Sequence, residues 1–391
     1  MGPRSKKEYM ETIYLRYKRA KNRAEKSALI TELCLTCNWH RKHAIRALKN
    51  FKRFSKNKPK KRGRLSIYNK PSVLEPLKRI WLAANLPCSK RLKAVLPLWL
   101  PAYAQEFGGL PLETVKALLK ISPASIDRLL EPVRVHYRGR GRATTKPGTL
   151  LRQHIPIKTN QWEESKPGFL EADTVAHCGN SIDGVFAYTI DCVDIATGWT
   201  EQRAVYGKGE FGVLEQIKNI EKLLPFPLLG FDSDNGSEFL NWHLFKYFTN
   251  KKPPVQFTRS RAYHKDDNAH VEQKNWTQVR LWFGYHRFDN PKIVPLMNEL
   301  YTSASWRLYH NFFLPSVKLI EKKRVASKTI KRYDKPMTPY QRVIASPDVP
   351  ALVKRALKEQ YTLANPFQFR KNIEQKLKEI IAVCYPKTVK L

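Results

Sequence analysis

Three short acidic segments sit inside an otherwise basic chain: Phe169-Leu-Glu-Ala-Asp-Thr174, Asp232-Ser-Asp-Asn-Gly-Ser-Glu-Phe239 and Asp266-Asp-Asn-Ala-His-Val-Glu-Gln-Lys274. Each carries a carboxylate where a strand can end or a helix can open. Residues 151–250 hold 8 basic and 14 acidic residues, against 35 and 9 in residues 1–150 and 28 and 11 in residues 251–391. An acidic island in so basic a protein calls for a reason, and carboxylates that bind hard divalent cations supply one. The net charge of +37 points to a polyanionic partner: DNA, RNA or an acidic membrane surface.

The 391 residues allow two or three domains. Six cysteines, Cys34, Cys37, Cys88, Cys178, Cys192 and Cys384, show no secreted framework spacing, so reduced thiols are expected. No apolar run approaches the length that spans a bilayer, and the basic N-terminus lacks a signal-peptide core. A soluble, intracellular protein with no membrane partner is the expectation.

Residues 1–51 read as an N-terminal helix-turn-helix. Leu29, Ile30, Leu33 and Cys34 form one stripe, Thr36-Cys37-Asn38 turns the chain, and Asn38 is a possible N-cap. Trp39, Ala44, Ile45 and Leu48 then point inward, leaving Arg41, Lys42 and Arg46 for DNA. Cys34, Cys37, His40 and His43 imitate a zinc set. Ligands every third residue along helices drift round the axis and do not converge on one ion. Residues 52–64 form a basic linker whose Lys61, Arg62 and Arg64 suit a minor groove or simply solvated phosphate contact.

Residues 65–135 read as a second helical DNA-binding module. Val73–Ala84 and Ser89–Trp99 are apolar-periodic, and Pro111–Lys120 and Pro123–Leu130 follow. Ser122 fits an N-cap, Pro123 the first helical position and Pro132 the helix end, with Ser125 and Arg128 outward. A plain helical bundle is the alternative. Residues 136–160 are another basic crossing, with Arg138, Arg140 and Arg142 as DNA contacts.

From residue 161 to 290 the periodicity changes. Phe169–Ala176, Gly184–Ile195, Trp199–Val205, Leu228–Ser233 and Pro254–Thr258 read as strands, and Gly209–Leu224, Ser237–Asn250 and Asp267–Tyr285 as helices. That order predicts a mixed five-stranded sheet with flanking helices, an α/β core. Asn235-Gly236 allows positive backbone angles in a sharp turn, and Ser237 can cap the next helix. In-line displacement at a phosphodiester needs an activated nucleophilic oxygen and a stabilised leaving oxygen, which two cations about 4 Å apart provide. Asp173 in mid-strand, Asp234 at a strand end and Glu272 on a crossing helix are the catalytic and metal-ligating candidates. Glu171, Asp191 and Asp194 compete with Asp173, and Asp232 shares a face with Asp234. Asp266 and Asp267 fit helix caps, and His177 reads as a polar histidine or a water-orienting one. Around the last helix, Asn268 and Lys274 are the first choices for gripping DNA.

These motifs carry a resemblance. Asp234-Asn-Gly-Ser-Glu-Phe239 after an apolar strand resembles the second-aspartate motif of retroviral integrases and bacterial insertion-sequence transposases. Asp267-Asn-Ala-His-Val-Glu272, with 37 residues between Asp234 and Glu272, resembles their glutamate motif, and Phe169-Leu-Glu-Ala-Asp173 their first-aspartate strand. The resemblance covers roughly residues 165–290. It implies a ribonuclease-H-like fold, two Mg²⁺ or Mn²⁺ ions, DNA 3′-end nicking and strand transfer, and a homo-oligomer that synapses two element ends. No zinc-binding domain of the retroviral kind is evident, which favours the transposase branch. The implied partners are double-stranded terminal inverted repeats and target DNA, and the implied location is the cytoplasm of a bacterium, on its nucleoid. A silent, domesticated DNA-binding regulator and a ribonuclease-H-like nuclease are the rival functions.

Residues 291–391 read as a basic, mostly helical C-terminal region. An apolar part (Leu296, Leu300, Trp306, Tyr309, Phe312, Phe313) precedes a basic one from Lys322 to Arg332 that suits a DNA backbone. Thr338-Pro-Tyr-Gln-Arg342 reads as a turn, and Val349–Gln360 and Phe367–Ile381 as two final helices.

Overall fold

The computed structural model describes residues 2–51, 67–134, 165–234, 236–260, 269–325 and 328–385. It divides into two units, Met1–Leu65 and Ser66–Leu391. Among the described residues no helix is long and apolar enough to cross a membrane.

The first unit has three helices: α1 (Pro3–Arg19), α2 (Arg23–Cys37) and α3 (Arg41–Lys49). Ile13, Leu29, Ile30, Leu33, Cys37, Ala44 and Leu48 make its core. The α2–α3 turn differs from the sequence reading. Asn38 is not an N-cap but a left-handed C-cap at φ 50°, its N–H donating to the Cys34 carbonyl. The cap of α3 is His40, whose ring accepts from the Lys42 N–H. Ile45, expected inside, is exposed. Arg41, Lys42 and Arg46 are exposed as expected, and Arg41 is also tied to the Thr31 and Ser27 hydroxyls of α2 at 2.9 and 2.6 Å.

The second unit begins with α4 (Pro71–Ala83), α5 (Ser89–Phe107), α6 (Leu112–Lys120) and α7 (Pro123–Arg134). Ser122 accepts from the Ser125 N–H as expected. Pro132 lies inside α7 instead of ending it, and α5 runs through Pro97 and Pro101. Ser125 is half-buried and accepts from the Arg128 guanidinium, so both residues are engaged on their own helix.

Five strands then form a mixed sheet: β1 (Phe169–Ala176), β2 (Ala187–Asp194), β3 (Thr200–Tyr206), β4 (Gly230–Ser233) and β5 (Gln256–Arg259). Their order is β3-β2-β1-β4-β5; β1–β3 are antiparallel neighbours, and β4 runs parallel to both β1 and β5. One face packs Leu170, Ala172, Ile190 and Cys192 against α8 (Glu210–Glu221) and α9 (Trp242–Thr249). Alpha-helix α9 starts five residues later than the sequence reading, because its cap is Asn241, which accepts from the Leu244 N–H, and not Ser237.

The opposite face meets a helical rod made of α10 (Ala269–Lys274), a π-helical turn (Asn275–Arg280) and α11 (Leu281–Phe283). After it come α12 (Ile293–Thr302) and α13 (Ala304–Phe313). The C-terminal region is not wholly helical: β6 (Leu319–Val325) and β7 (Lys328–Tyr333) form a two-stranded antiparallel sheet. Thr338 and Gln341 make a reciprocal capping box, so the expected turn there opens α14 (Pro339–Ala345). The chain closes with α15 (Ala351–Thr362) and α16 (Pro366–Cys384).

Helices α4–α7 share one core with α12–α16 and with Val175, Ala187, Trp199 and Ala204 of the sheet region. Trp99 of α5 is fully buried, donates to the Phe313 carbonyl at 3.1 Å and stacks edge-on against Phe367 at 4.9 Å. The Tyr309 hydroxyl donates to the Ala83 carbonyl at 2.5 Å. The stretch read as a separate second module is therefore packed on the C-terminal helices.

Candidate active site

Strand register brings the first two acidic segments together. Glu171 of β1 pairs with Asp232 of β4, and Ala172 with Ser233. One step further sets Asp173 level with Asp234 on a strand about 4.8 Å away. Side chains two apart on a strand share a face, so Glu171 and Asp173 lie beside Asp232 and Asp234 on the face toward the α10 rod. On the other side of Asp173 the register partner is Asp191 of β2.

Electrostatics records this crowding. Burial and then the charge of Asp234 push Asp173 up to about 7. Asp234 is also raised, by burial and by Glu238, against the Gly236 N–H that it accepts at 3.0 Å. Asp191 is fully buried and pushed up to about 7 by burial, with Gln202 donating to it at 2.7 Å. Two half-buried carboxylates both raised by burial and by a neighbouring carboxylate mark an environment short of positive charge.

Gly236 works here through space, not through backbone angle. A side chain at that position would meet the Glu238 carboxylate at 2.5 Å and Asp234 Oδ1 at 2.9 Å. Glu238 is buried, accepts from the Thr174 hydroxyl at 2.9 Å and pairs with Lys208. Its charge is thereby matched, whereas Asp173 and Asp234 have no basic partner at ion-pair distance among the described residues, Lys208 only easing the rise of Asp234 through its charge.

The rod crosses over this face and makes hydrogen bonds to β1. The Val271 N–H donates to Glu171 Oε2 at 3.1 Å, and Asn275 Nδ2 donates to Asp173 Oδ2 at 2.7 Å. Residues 271, 275 and 278 recur at helical spacing, so this stripe faces the sheet. Glu272 is about 100° round from Val271 and is exposed. Among the described residues no three His, Cys, Asp or Glu side chains form a group able to hold a metal. The structure thus joins Asp173 to Asp234 and leaves Glu272 at the rim, next to residues 261–268, which are outside the described set.

Lys274 departs from its expected role. It is buried and pushed down to about 8 by burial, with the charge of Asp191 acting the other way, where an exposed lysine was expected. Asn268, Lys61, Arg62, Arg64, Arg138, Arg140 and Arg142 lie outside the described residues. Asp194 is structural: it accepts from the Gly168 and Thr197 N–H groups, both at 2.7 Å, and closes the β2–β3 turn. Asp232 accepts from Thr258 at 2.5 Å on β5. His177 is a core histidine, pushed down to about 3 by burial, stacked on Phe288 and bonded to Thr189 at 2.8 Å.

Sequence reasoning missed Asn275. Its signal was present: it lies four residues after Val271, the apolar position of that helix, a spacing that shares a helix face. Its Oδ1 is buried without a hydrogen-bond partner among the described residues, as is Asp191 Oδ2. Carboxylate and amide oxygens are the donor set of a hard divalent cation, so Asp173, Asp234 and the orphaned Asn275 oxygen fit one.

No family model matches the chain. An uncharacterized protein of Sinorhizobium fredii, y4rM, is 39% identical over 338 residues, which cover 86% of this chain and 94% of that one. Among solved structures, the catalytic core domain of BIV integrase aligns with a TM-score of 0.28 at 14% identity, over 44% of this chain and 91% of its own. A simian T-cell lymphotropic virus intasome in complex with PP2A regulatory subunit B56 gamma gives 0.32 at 14%, over 64% and 76%. Likeness at that level fixes neither fold nor activity.

Proposed function

The chain belongs to the family of Sinorhizobium fredii y4rM, and we propose that it is a DNA transposase of the aspartate-aspartate-glutamate type, built on a ribonuclease-H-like core. The observation that carries this reading is the Asp173–Asp234 pair, which lies one step past the β1–β4 register, joins two of the three motifs and has no basic partner at ion-pair distance among the described residues. A cation bound between two crowded carboxylates would relieve them, as a shared proton does in its absence.

Asp173 and Asp234 would hold divalent ions, Mg²⁺ or Mn²⁺, with Glu272 as the third ligand. Bound there, the ions supply an activated water or 3′-hydroxyl and neutralise the leaving oxygen. The chain's own residues do the rest. Asn275 fixes one oxygen of Asp173, and the Thr174 N–H fixes the other at 2.7 Å, so the carboxylate is oriented before any ligand arrives. The Gly236 N–H does the same for Asp234. The Lys208–Glu238 pair removes a competing charge from beside Asp234. Duplex DNA would approach from the rim where Glu272 is exposed.

The test is nicking and joining of supercoiled plasmid, and of a duplex taken from the DNA flanking the coding region, with Mg²⁺ or Mn²⁺. Metal-dependent nicks and joined products are the expected result. The exposed Glu272 favours a second reading, a catalytically silent DNA-binding regulator; binding of the same duplex without any nick would establish that instead.

Asn275 gives a finer prediction. Removing a group that orients a metal ligand typically costs 10–100-fold in metal affinity or activity. Asn275→Ala is expected to lower nicking by about that factor and to weaken Mn²⁺ binding in calorimetry, with the circular dichroism unchanged. Undiminished Mn²⁺ affinity would show that Asn275 does not position Asp173.

A further inference from the structure

The β6–β7 ribbon belongs to neither layer of the core. A two-stranded ribbon is marginal by itself, and this one is held at its base. Lys318 N–H donates to Asp334 Oδ1 at 2.6 Å, and Asp334 N–H returns to the Lys318 carbonyl at 2.9 Å. Arg342 donates to Asp334 at 2.7 Å and to the Ser316 carbonyl at 3.1 Å. The Lys318 ammonium donates to the Ala196 carbonyl at 2.9 Å, in the turn between β2 and β3. The ribbon is therefore fixed to the end of the sheet, three register steps or roughly 10 Å from the level of Asp173.

Beyond that base the ribbon has no core. Ile320, Val325, Ile330 and Tyr333 are exposed, and so are Lys323, Arg324, Lys331 and Arg332. Its β-branched residues keep the strands extended. The stretch 319–333 has six basic residues and one acidic. Lys323 and Arg324 are neighbours on one strand, as are Lys331 and Arg332 on the other, so each pair points to opposite faces. Both faces of the ribbon are cationic. A flat anionic surface would select one charged face. Two charged faces suit a polyanion on both sides, as in a groove between phosphate walls. The major groove of B-DNA admits a two-stranded ribbon, whereas the deep, narrow major groove of A-form RNA does not.

We propose that the Leu319–Tyr333 ribbon enters the major groove of duplex DNA, with Lys323, Arg324, Lys331 and Arg332 on the phosphates of its two walls. The inference rests on the transposase reading and names one of its DNA contacts. The full chain is titrated onto a short labelled DNA duplex, and onto an RNA duplex of the same sequence, across a series of salt concentrations. The variant carries Lys323→Gln, Arg324→Gln, Lys331→Gln and Arg332→Gln together. Each neutralised phosphate contributes about 0.9 to the slope of log affinity against log salt, so the slope on DNA is expected to fall by roughly 2–4. The RNA slope is expected to change less, and a variant exchanging Lys and Arg at the four sites is expected to keep the parent slope on DNA. An unchanged DNA slope in the glutamine variant, or an equal fall on RNA, overturns the proposal. Nicking is scored separately: a reduced DNA slope with no nicking by the parent leaves the ribbon standing and removes the transposase reading.

Discussion

Asp234→Asn is expected to abolish metal-dependent nicking while leaving the fold intact. A cation that loses one of its ligands forfeits several kcal/mol of transition-state stabilisation, roughly 10³-fold in rate. The substitution keeps the shape of the side chain and the oxygen that accepts the Gly236 N–H. It removes the charge and turns the second oxygen into an N–H donor. Because the charge of Asp234 disfavours ionisation of Asp173, removing that charge relieves the metal-free protein. Thermal unfolding in EDTA should therefore occur at the same temperature as the parent or above it. With Mg²⁺ the order should invert, since the parent gains stability by binding the ion and the variant does not. This sign pattern separates a site that holds a cation from a carboxylate pair that serves the fold. Nicking at the parent rate, or a variant that melts several degrees lower in EDTA, would contradict the assignment of Asp234.

Much of the site was legible because strands and turns announce themselves locally. The apolar run before Asp234 and the alternation around Asp173 predicted two strands, and the register between them then follows from which residues face the core. What the sequence did not disclose is rotational. Whether Glu272 or Asn275 faces Asp173 depends on the phase of a helix whose π-helical turn shifts the periodicity. Lys274 looked like a DNA contact because lysine in a basic chain usually meets solvent, yet the rod turns it inward toward Asp191. The β6–β7 ribbon escaped for a different reason: a run rich in lysine and arginine without a buried face carries no periodicity to read. Ile320, Val325, Ile330 and Tyr333 were its only strand signal. Distant packing was equally hidden. Nothing local to α5 states that Trp99 belongs with residues more than two hundred positions later.

Trp99→Ala is the substitution expected to cost the most stability. The ring is fully buried, and it touches Tyr309 at 6.1 Å, Phe313 at 6.3 Å and Phe367 at 4.9 Å between centroids. Truncating a buried tryptophan to alanine typically costs about 3–5 kcal/mol through lost transfer energy and the cavity left behind. The Phe313 carbonyl also loses its donor, and an unsatisfied buried acceptor adds on the order of 1–3 kcal/mol. An exposed ring is the control: Trp276→Ala, at 41% exposure, is expected to change stability by less than about 0.5 kcal/mol. The pattern of unfolding is as informative as its size. If α4–α7 were an independent module, Trp99→Ala would lower one transition and leave the sheet's transition, followed by Trp199 and Trp306, in place. One shared core predicts that tryptophan fluorescence and far-UV circular dichroism shift together in urea, and that nicking is lost at the same denaturant concentration as helix content. Two separated transitions in the variant would mean that the α5–α13–α16 contact is docking between domains and not the centre of one hydrophobic core.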